Sequence, residues 1–302
     1  TLSLHDALPI LHPVQVETVC WISASKIVLS TFFYLSALIC YIQYMRNSKW
    51  QYLLASVVSS ILAMGCKEQS VIIVPCLLLF DWMLFKRNMR SLKVYIEKVY
   101  YLIPAIAIFI VTLVANKNTG EEIIGYTIVD RFIFLCYSSF KYLLISAIPF
   151  KLSYLYPFPF QVGEKIPMAL WIYPFVILFI GYVIYLNRRK PLLVFCTLFF
   201  ILHLLPVLHV IPLPRYVVAA DRYLYIPYIA FAIGLSILSY HLYERQRKWI
   251  LYAGFLYCSY LCVYTAGYAP AWKNSDTLKE HFKEVLKKRE TNLSINFKHE
   301  KQ

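Results

Sequence analysis

The sequence predicts an all-α polytopic membrane protein: a bundle of about eight helical spans plus a re-entrant or surface-lying helix. Three observations carry this. Hydrophobic residues make up 60% of the chain and the mean hydropathy is +0.59, more apolar material than a soluble core of 302 residues can bury. Apolar segments of spanning length recur along the chain, several with Trp or Tyr at their ends as interfacial anchors. Finally, the short connections at alternate ends are dense in Lys and Arg: Arg46/Lys49, Lys86/Arg87/Arg90/Lys93, Arg188/Arg189/Lys190 and Arg245/Arg247/Lys248. The positive-inside rule places those connections in the cytoplasm, so the polar motifs at the opposite span ends face the periplasm or lumen.

Residues 1–10 read as the in-frame translation of a common short-read sequencing adapter, and the natural chain is expected to start near Leu11 with its N-terminus truncated. The spans are expected at 24–45, 50–66, 69–85, 98–115, 168–186, 191–211, 223–241 and 249–267. The stretch 50–85 is too long for one crossing and is broken by Lys67-Glu68, so it reads as a helical hairpin with the charged pair at its tip. Segment 128–149 is apolar enough to cross but carries Asp130, Arg131 and Lys141, and letting it cross would put the last two basic clusters outside. It is therefore read as the re-entrant or surface helix on the external side. Residues 272–302 then form an external amphipathic helix, capped by Asn274 or Ser275, with Leu278, Phe282, Val285 and Leu286 on one face. That face suits either a membrane surface or the first helix of a repeat array.

The net charge of +14 sits mostly in the cytoplasmic connections and the tail, which points to topology and anionic lipid, with no nucleic-acid partner. The eight cysteines show no metal-ligand spacing; Cys40, Cys76, Cys136, Cys196, Cys258 and Cys262 lie in apolar runs and read as packing residues. His203 and His209 are spaced poorly for one metal and read as packing or hydrogen-bonding groups.

Four external motifs carry candidate chemistry. His12-Pro13 precedes Glu17 at the mouth of the first span, where a carboxylate can act as base, orient an acceptor, or simply cap. Lys67-Glu68 reads either as a self-satisfied ion pair or, because adjacent side chains meet poorly within a helix, as leaving Lys67 free for a phosphate. Asp221-Arg222, followed by Tyr223 and Tyr225, presents a guanidinium fork suited to phosphate, with Asp221 placed to hold it; the bland alternative is an interfacial ion pair. Tyr156-Pro157-Phe158-Pro159 is stiff and aromatic, suited to lining a groove for a sugar or lipid chain, or to a membrane-edge turn.

In order along the chain, His12-Pro13-Val14-Gln15-Val16-Glu17-Thr18-Val19-Cys20-Trp21-Ile22-Ser23, Lys67-Glu68-Gln69, Leu77-Leu78-Leu79-Phe80-Asp81-Trp82, Tyr156-Pro157-Phe158-Pro159, Ala220-Asp221-Arg222-Tyr223-Leu224-Tyr225-Ile226-Pro227 and Trp272-Lys273-Asn274-Ser275-Asp276-Thr277-Leu278 resemble the transmembrane and tetratricopeptide repeat-containing family and its bacterial relatives. Those are similar to protein O-mannosyltransferases, with the multi-span glycosyltransferase fold called GT-C. The resemblance covers residues 11–286. It implies transfer of a hexose, mannose foremost, from a polyprenyl-phosphate donor to a hydroxyl on a protein or glycan acceptor, in the bacterial inner membrane or the endoplasmic reticulum, on the same face as a TPR domain. It leaves open whether a divalent metal takes part. Glu17 and Glu68 are then the candidate bases. His12, Lys67, Tyr156, Asp221, Arg222 and Tyr225 are the candidate substrate contacts, with Lys67 and Arg222 holding the leaving phosphate. The family's acidic motif of the first external loop has no counterpart here. A lipid-linked substrate transporter and a non-catalytic scaffold for a repeat domain are the competing classes; the charges at span ends, without repeated halves, speak against the transporter.

Overall fold

The computed structural model describes residues 11–117, 126–150, 152–153, 156–209, 217–245, 247–280 and 283. The chain is all-α, 81% helical, with no strand beyond an isolated bridge between Tyr156 and Ala219 among the described residues. A short helix α1 (Val16–Cys20) leads into α2 (Ser25–Asn47), α3 (Trp50–Cys66), α4 (Ile73–Met83), α5 (Leu92–Lys117), α6 (Ile128–Ala147), α7 (Ile172–Leu186), α8 (Pro191–Leu204), α9 (Pro227–Arg245) and α10 (Arg247–Tyr268).

Tight turns make neighbouring helices antiparallel. Ser48 takes the left-handed conformation (φ 56°) that ends α2 and starts the return along α3. Small polar residues then let these two helices pack closely: Ser56 Oγ donates to Ala37 O at 2.7 Å, and Ser30 Oγ donates to Ala63 O at 2.9 Å. Tyr34, Tyr41, Tyr101, Tyr142 and Tyr228 are wholly buried along the bundle axis. By contrast, α7 buries no residue and exposes Phe175, Leu178, Phe179 and Tyr182, as a helix facing hydrocarbon would.

Among the described residues, four helices are long and apolar enough to cross a membrane: Ile22–Asn47, Leu92–Ala115, Met168–Leu186 and Lys248–Trp272. The expected count of about eight is not supported. Trp50–Cys66, Pro191–Val207 and Pro227–Tyr243 are shorter apolar helices. The segment expected at 69–85 divides into a 3₁₀ turn (Glu68–Ile72) and the 11-residue α4. Eleven residues rise about 16 Å against a hydrocarbon core of about 30 Å, so apolar composition outran helix length there.

Helix α6 is opened by Thr127 and Asp130 in a reciprocal capping box, which uses the acid that made this segment ambiguous. Phe134, near its start, stacks against Phe160, with Tyr126, Phe158 and His209 alongside. At its far end, the Tyr257 hydroxyl donates to Ala147 O, the Tyr260 hydroxyl donates to Pro149 O, and Leu152 N–H donates to the Tyr264 hydroxyl. The chain after α6 therefore climbs α10 from its middle back toward Tyr268, and it reaches Tyr156 beside Asp221.

At the C-terminal end, Asn274 Oδ1 accepts from Asp276 N and Thr277 N, so Asn274 is the capping residue, and Leu278 packs on the core. Phe282, Val285, Leu286 and residues 1–10 lie outside the described residues. Cys76, Cys136 and Cys196 are buried and Cys40 and Cys258 half-buried, but Cys262 is exposed on α10 and does not pack.

Candidate functional site

The polar motifs meet at one end of the bundle. Glu17, on α1, is wholly buried, and its carboxylate takes Arg222 at two points: Nη1 donates to Oε1 at 2.6 Å and the Arg222 backbone N–H donates to Oε2 at 2.8 Å. The guanidinium also lies 5.1 Å from the Tyr223 ring centroid and 5.7 Å from that of Trp21. Trp21 in turn contacts Trp272, which brings the start of the tail to this same end.

Asp221 does not hold Arg222, as its adjacency suggested. The two are consecutive in a 3₁₀ turn (Asp221–Leu224), so their side chains diverge. Asp221 turns inward, where Oδ1 accepts from the Tyr156 hydroxyl at 2.8 Å; Oδ2 has no hydrogen-bond partner among the described residues. The Lys141 ammonium sits 4.2 Å from the Tyr156 ring centroid. Tyr156 is therefore a buried positioning group for Asp221 and does not line a groove, while Phe158 and Phe160 anchor the start of α6.

Lys67 is not free. It ends α3 with an extended backbone (φ −151°, ψ 120°), and outside helical geometry neighbouring side chains can meet, so its Nζ lies 2.8 Å from Glu68 Oε1. Helical spacing was the wrong geometry for this pair.

Lys67 and Arg222 nonetheless line one cavity of about 40 Å³, with Ser70, Tyr34, His203 and Tyr225 among the other walls. That is room for two or three waters. Ser70 Oγ shares a 2.7 Å hydrogen bond with Ser30, and His203 Nε2 lies 2.8 Å from the Tyr34 hydroxyl. His12 is not among the cavity walls: its Nδ1 accepts from Val14 N–H, its ring packs 4.4 Å from that of Tyr228, and Nε2 has no hydrogen-bond partner among the described residues. His209 approaches Val218 O at 3.0 Å.

Burial governs the titration of these groups. It pushes the Glu17 carboxyl up, with Arg222 pulling partly back. It pushes Asp221 further, helped by repulsion from Glu17. The Tyr156 hydroxyl and the Lys141 charge pull Asp221 partly back, but burial and Glu17 outweigh them. Burial lowers Arg222, but the Glu17 charge and Tyr223 outweigh it and hold the guanidinium above its ordinary value. Burial raises Glu68, but Lys67 outweighs it and draws the carboxyl below the usual range. Burial pushes His12 down to about 3, so it is neutral. No group of three or more His, Cys, Asp or Glu suited to a metal occurs among the described residues.

Neither the pairing of Asp221 with Tyr156 nor the approach of Lys141 was read from the sequence; the Lys within an apolar segment was the available signal. The arrangement is a small, partly open cavity of mixed polar and apolar walls with two cations, each already facing a carboxylate. Such a site suits a small anion, with the guanidinium fixed by its buried partner. No protein-family profile, curated protein or solved structure matches the chain.

Proposed function

We propose that the chain is an integral membrane glycosyltransferase of GT-C-like architecture, moving a hexose from a polyprenyl-phosphate donor to a hydroxyl acceptor on the external face. The observation that carries this is the joint lining of one cavity by Lys67 and Arg222, which come from the hairpin tip and the turn before α9. A leaving lipid phosphate needs fixed cations, and a guanidinium locked by a buried carboxylate costs no reorganisation when charge develops. In this reading the basic connections lie in the cytoplasm, the three shorter apolar helices and the Glu68–Met83 segment bring the four long spans to about eight crossings, and α6 is re-entrant. The course of 147–152 back along α10 supports that.

A second reading has one observation in its favour. Both carboxylates read as bases, Glu17 and Glu68, are engaged in ion pairs, so the described residues offer no exposed unpaired carboxylate at the cavity. In that reading the chain binds the lipid phosphate, and the base is supplied from elsewhere or transfer does not occur. The test is to reconstitute the chain in vesicles with labelled polyprenyl-phosphate hexose and a Ser/Thr peptide, measuring donor binding and transfer. Transfer supports the enzyme, binding without transfer supports the second reading, and the absence of both ends the proposal.

A further inference from the structure

The two cations of the cavity are occupied in different ways. Glu17 is wholly buried, grips Arg222 at two points, and stands behind it, outside the cavity wall. Glu68 makes a single 2.8 Å contact with Lys67, its side chain is 44% exposed, and it too is not part of the wall that Lys67 helps to form. The first pair cannot open without stranding a buried charge. In the second only the acid is exposed, since the Lys67 side chain is 15% exposed, so Glu68 can leave at little cost when another anion takes its place at the ammonium.

We infer that Glu68 is the resident anion of a phosphate site: its carboxylate holds the Lys67 ammonium while the cavity is empty of ligand, and a phosphate monoester takes that place beside Arg222. This rests on the reading of the cavity as a phosphate site and adds how that site is kept neutral. The carboxylate is fully ionised in the working range, since Lys67 draws its titration down. It also has somewhere to go: Lys26, exposed on the first turn of α2, already acts on Glu68 as a second attractive charge. In this proposal the Glu68 side chain turns from Lys67 toward the attraction of Lys26. An approaching phosphate thus exchanges one anion for another at Lys67, and it gains the guanidinium as a second, fixed donor. The opposite roles of the two acids follow: Glu17 builds the site and Glu68 competes for it.

Two sources share this chemistry, a lipid phosphate headgroup and free phosphate, and the probes separate them. Inorganic phosphate and farnesyl phosphate are titrated calorimetrically into the detergent-solubilised full chain, into Glu68→Gln, into Lys67→Gln and into the double variant. Glu68→Gln is expected to bind about two- to fivefold tighter, as loss of a weak competing ion pair implies, and the gain should vanish in the Lys67→Gln background. Tightening of farnesyl phosphate alone assigns the site to a lipid headgroup; tightening of both assigns it to phosphate in general. Unchanged or weaker binding by Glu68→Gln, with the wild type binding, overturns the resident-anion role and leaves the phosphate site standing. A gain that persists without Lys67 shows only a general charge effect and also overturns it. No binding by either protein removes the phosphate site itself.

Discussion

Each end of the bundle holds a cluster of buried charge, and the two clusters are built differently. At the basic end, Asp81 at the close of α4 accepts from the Tyr41 hydroxyl at 2.6 Å and from Lys98 and Arg87, and Arg87 bridges on to Glu97, which Tyr44 also reaches. Two acids face two cations, every carboxylate oxygen has a donor, and the charge sums to zero. At the other end two cations line a cavity, one acid pairs with each, and a third, Asp221, keeps an oxygen without a partner among the described residues. A closed network of the first kind ties α2, α4 and α5 together and has nothing left for a ligand. An open one, with a cavity and a surplus carboxyl, is poorer as a staple and better placed for chemistry.

The comparison is broken most sharply at Asp81. Asp81→Ala leaves Lys98 buried without its partner and is expected to cost about 3–5 kcal/mol, seen as loss of folded protein in detergent melts. Asp81→Asn with Lys98→Met, which removes both charges, should recover much of that loss. If the single and double variants melt alike, the network is not a mutually dependent one.

At the cavity end the same logic changes which Arg222 variant is informative. Arg222→Ala both empties the site and strands Glu17, so activity and folding fall together. Arg222→Lys keeps a charge for Glu17 but not the planar fork, and it should lower transfer per folded molecule while leaving the melt near wild type. Loss of a full phosphate contact costs roughly 2–4 kcal/mol of barrier, and a lysine should restore part of it. Wild-type transfer by Arg222→Lys would show that a point charge is enough.

A smaller effect separates the ends by pH. Asp221 holds its proton above the ordinary carboxylate range, so the folded state binds that proton more tightly than the unfolded chain does. The stability linked to it is complete below the unfolded value and is lost as pH rises through the raised one. Melts taken from about pH 5 to pH 9 should therefore fall toward alkali in the wild type, and less steeply in Asp221→Asn. Parallel slopes would show that Asp221 is already ionised when folded.

Much of this end was legible in advance because polarity is costly in apolar segments. The Lys67-Glu68 hairpin tip, the placement of Glu17, Lys67, Glu68 and Arg222 at span ends, and the start of the tail beside them all follow from where charge interrupts hydrophobic runs. The Lys67-Glu68 pair was one of two open readings, but the partners of Arg222 and of Asp221 were not legible. The partner of Arg222 lies 205 positions away in sequence, and nothing local marks it. The nearest acid in sequence turned to Tyr156 instead, because consecutive residues of a 3₁₀ turn point apart. The closed network was missed for a related reason. The expected span began at 98, which put Lys98 at its first position and Glu97 outside it, although α5 starts at Leu92 and both residues are buried. Span number failed on length, since hydropathy does not register where a 3₁₀ turn such as Glu68–Ile72 shortens a helix.

The central claim is that one charge cluster staples the fold and the other binds the phosphate of a lipid-linked sugar. Removing one lysine from each tests it directly, by measuring polyprenyl-phosphate hexose binding per folded molecule alongside the melt. Lys67→Gln should bind donor at least about tenfold more weakly, as loss of one charge-assisted contact implies, with an unchanged melt, while Lys98→Gln should melt early and bind normally in the fraction that remains folded. Unchanged donor binding by Lys67→Gln, with Lys98→Gln as stable as wild type, would contradict the division of roles between the two ends.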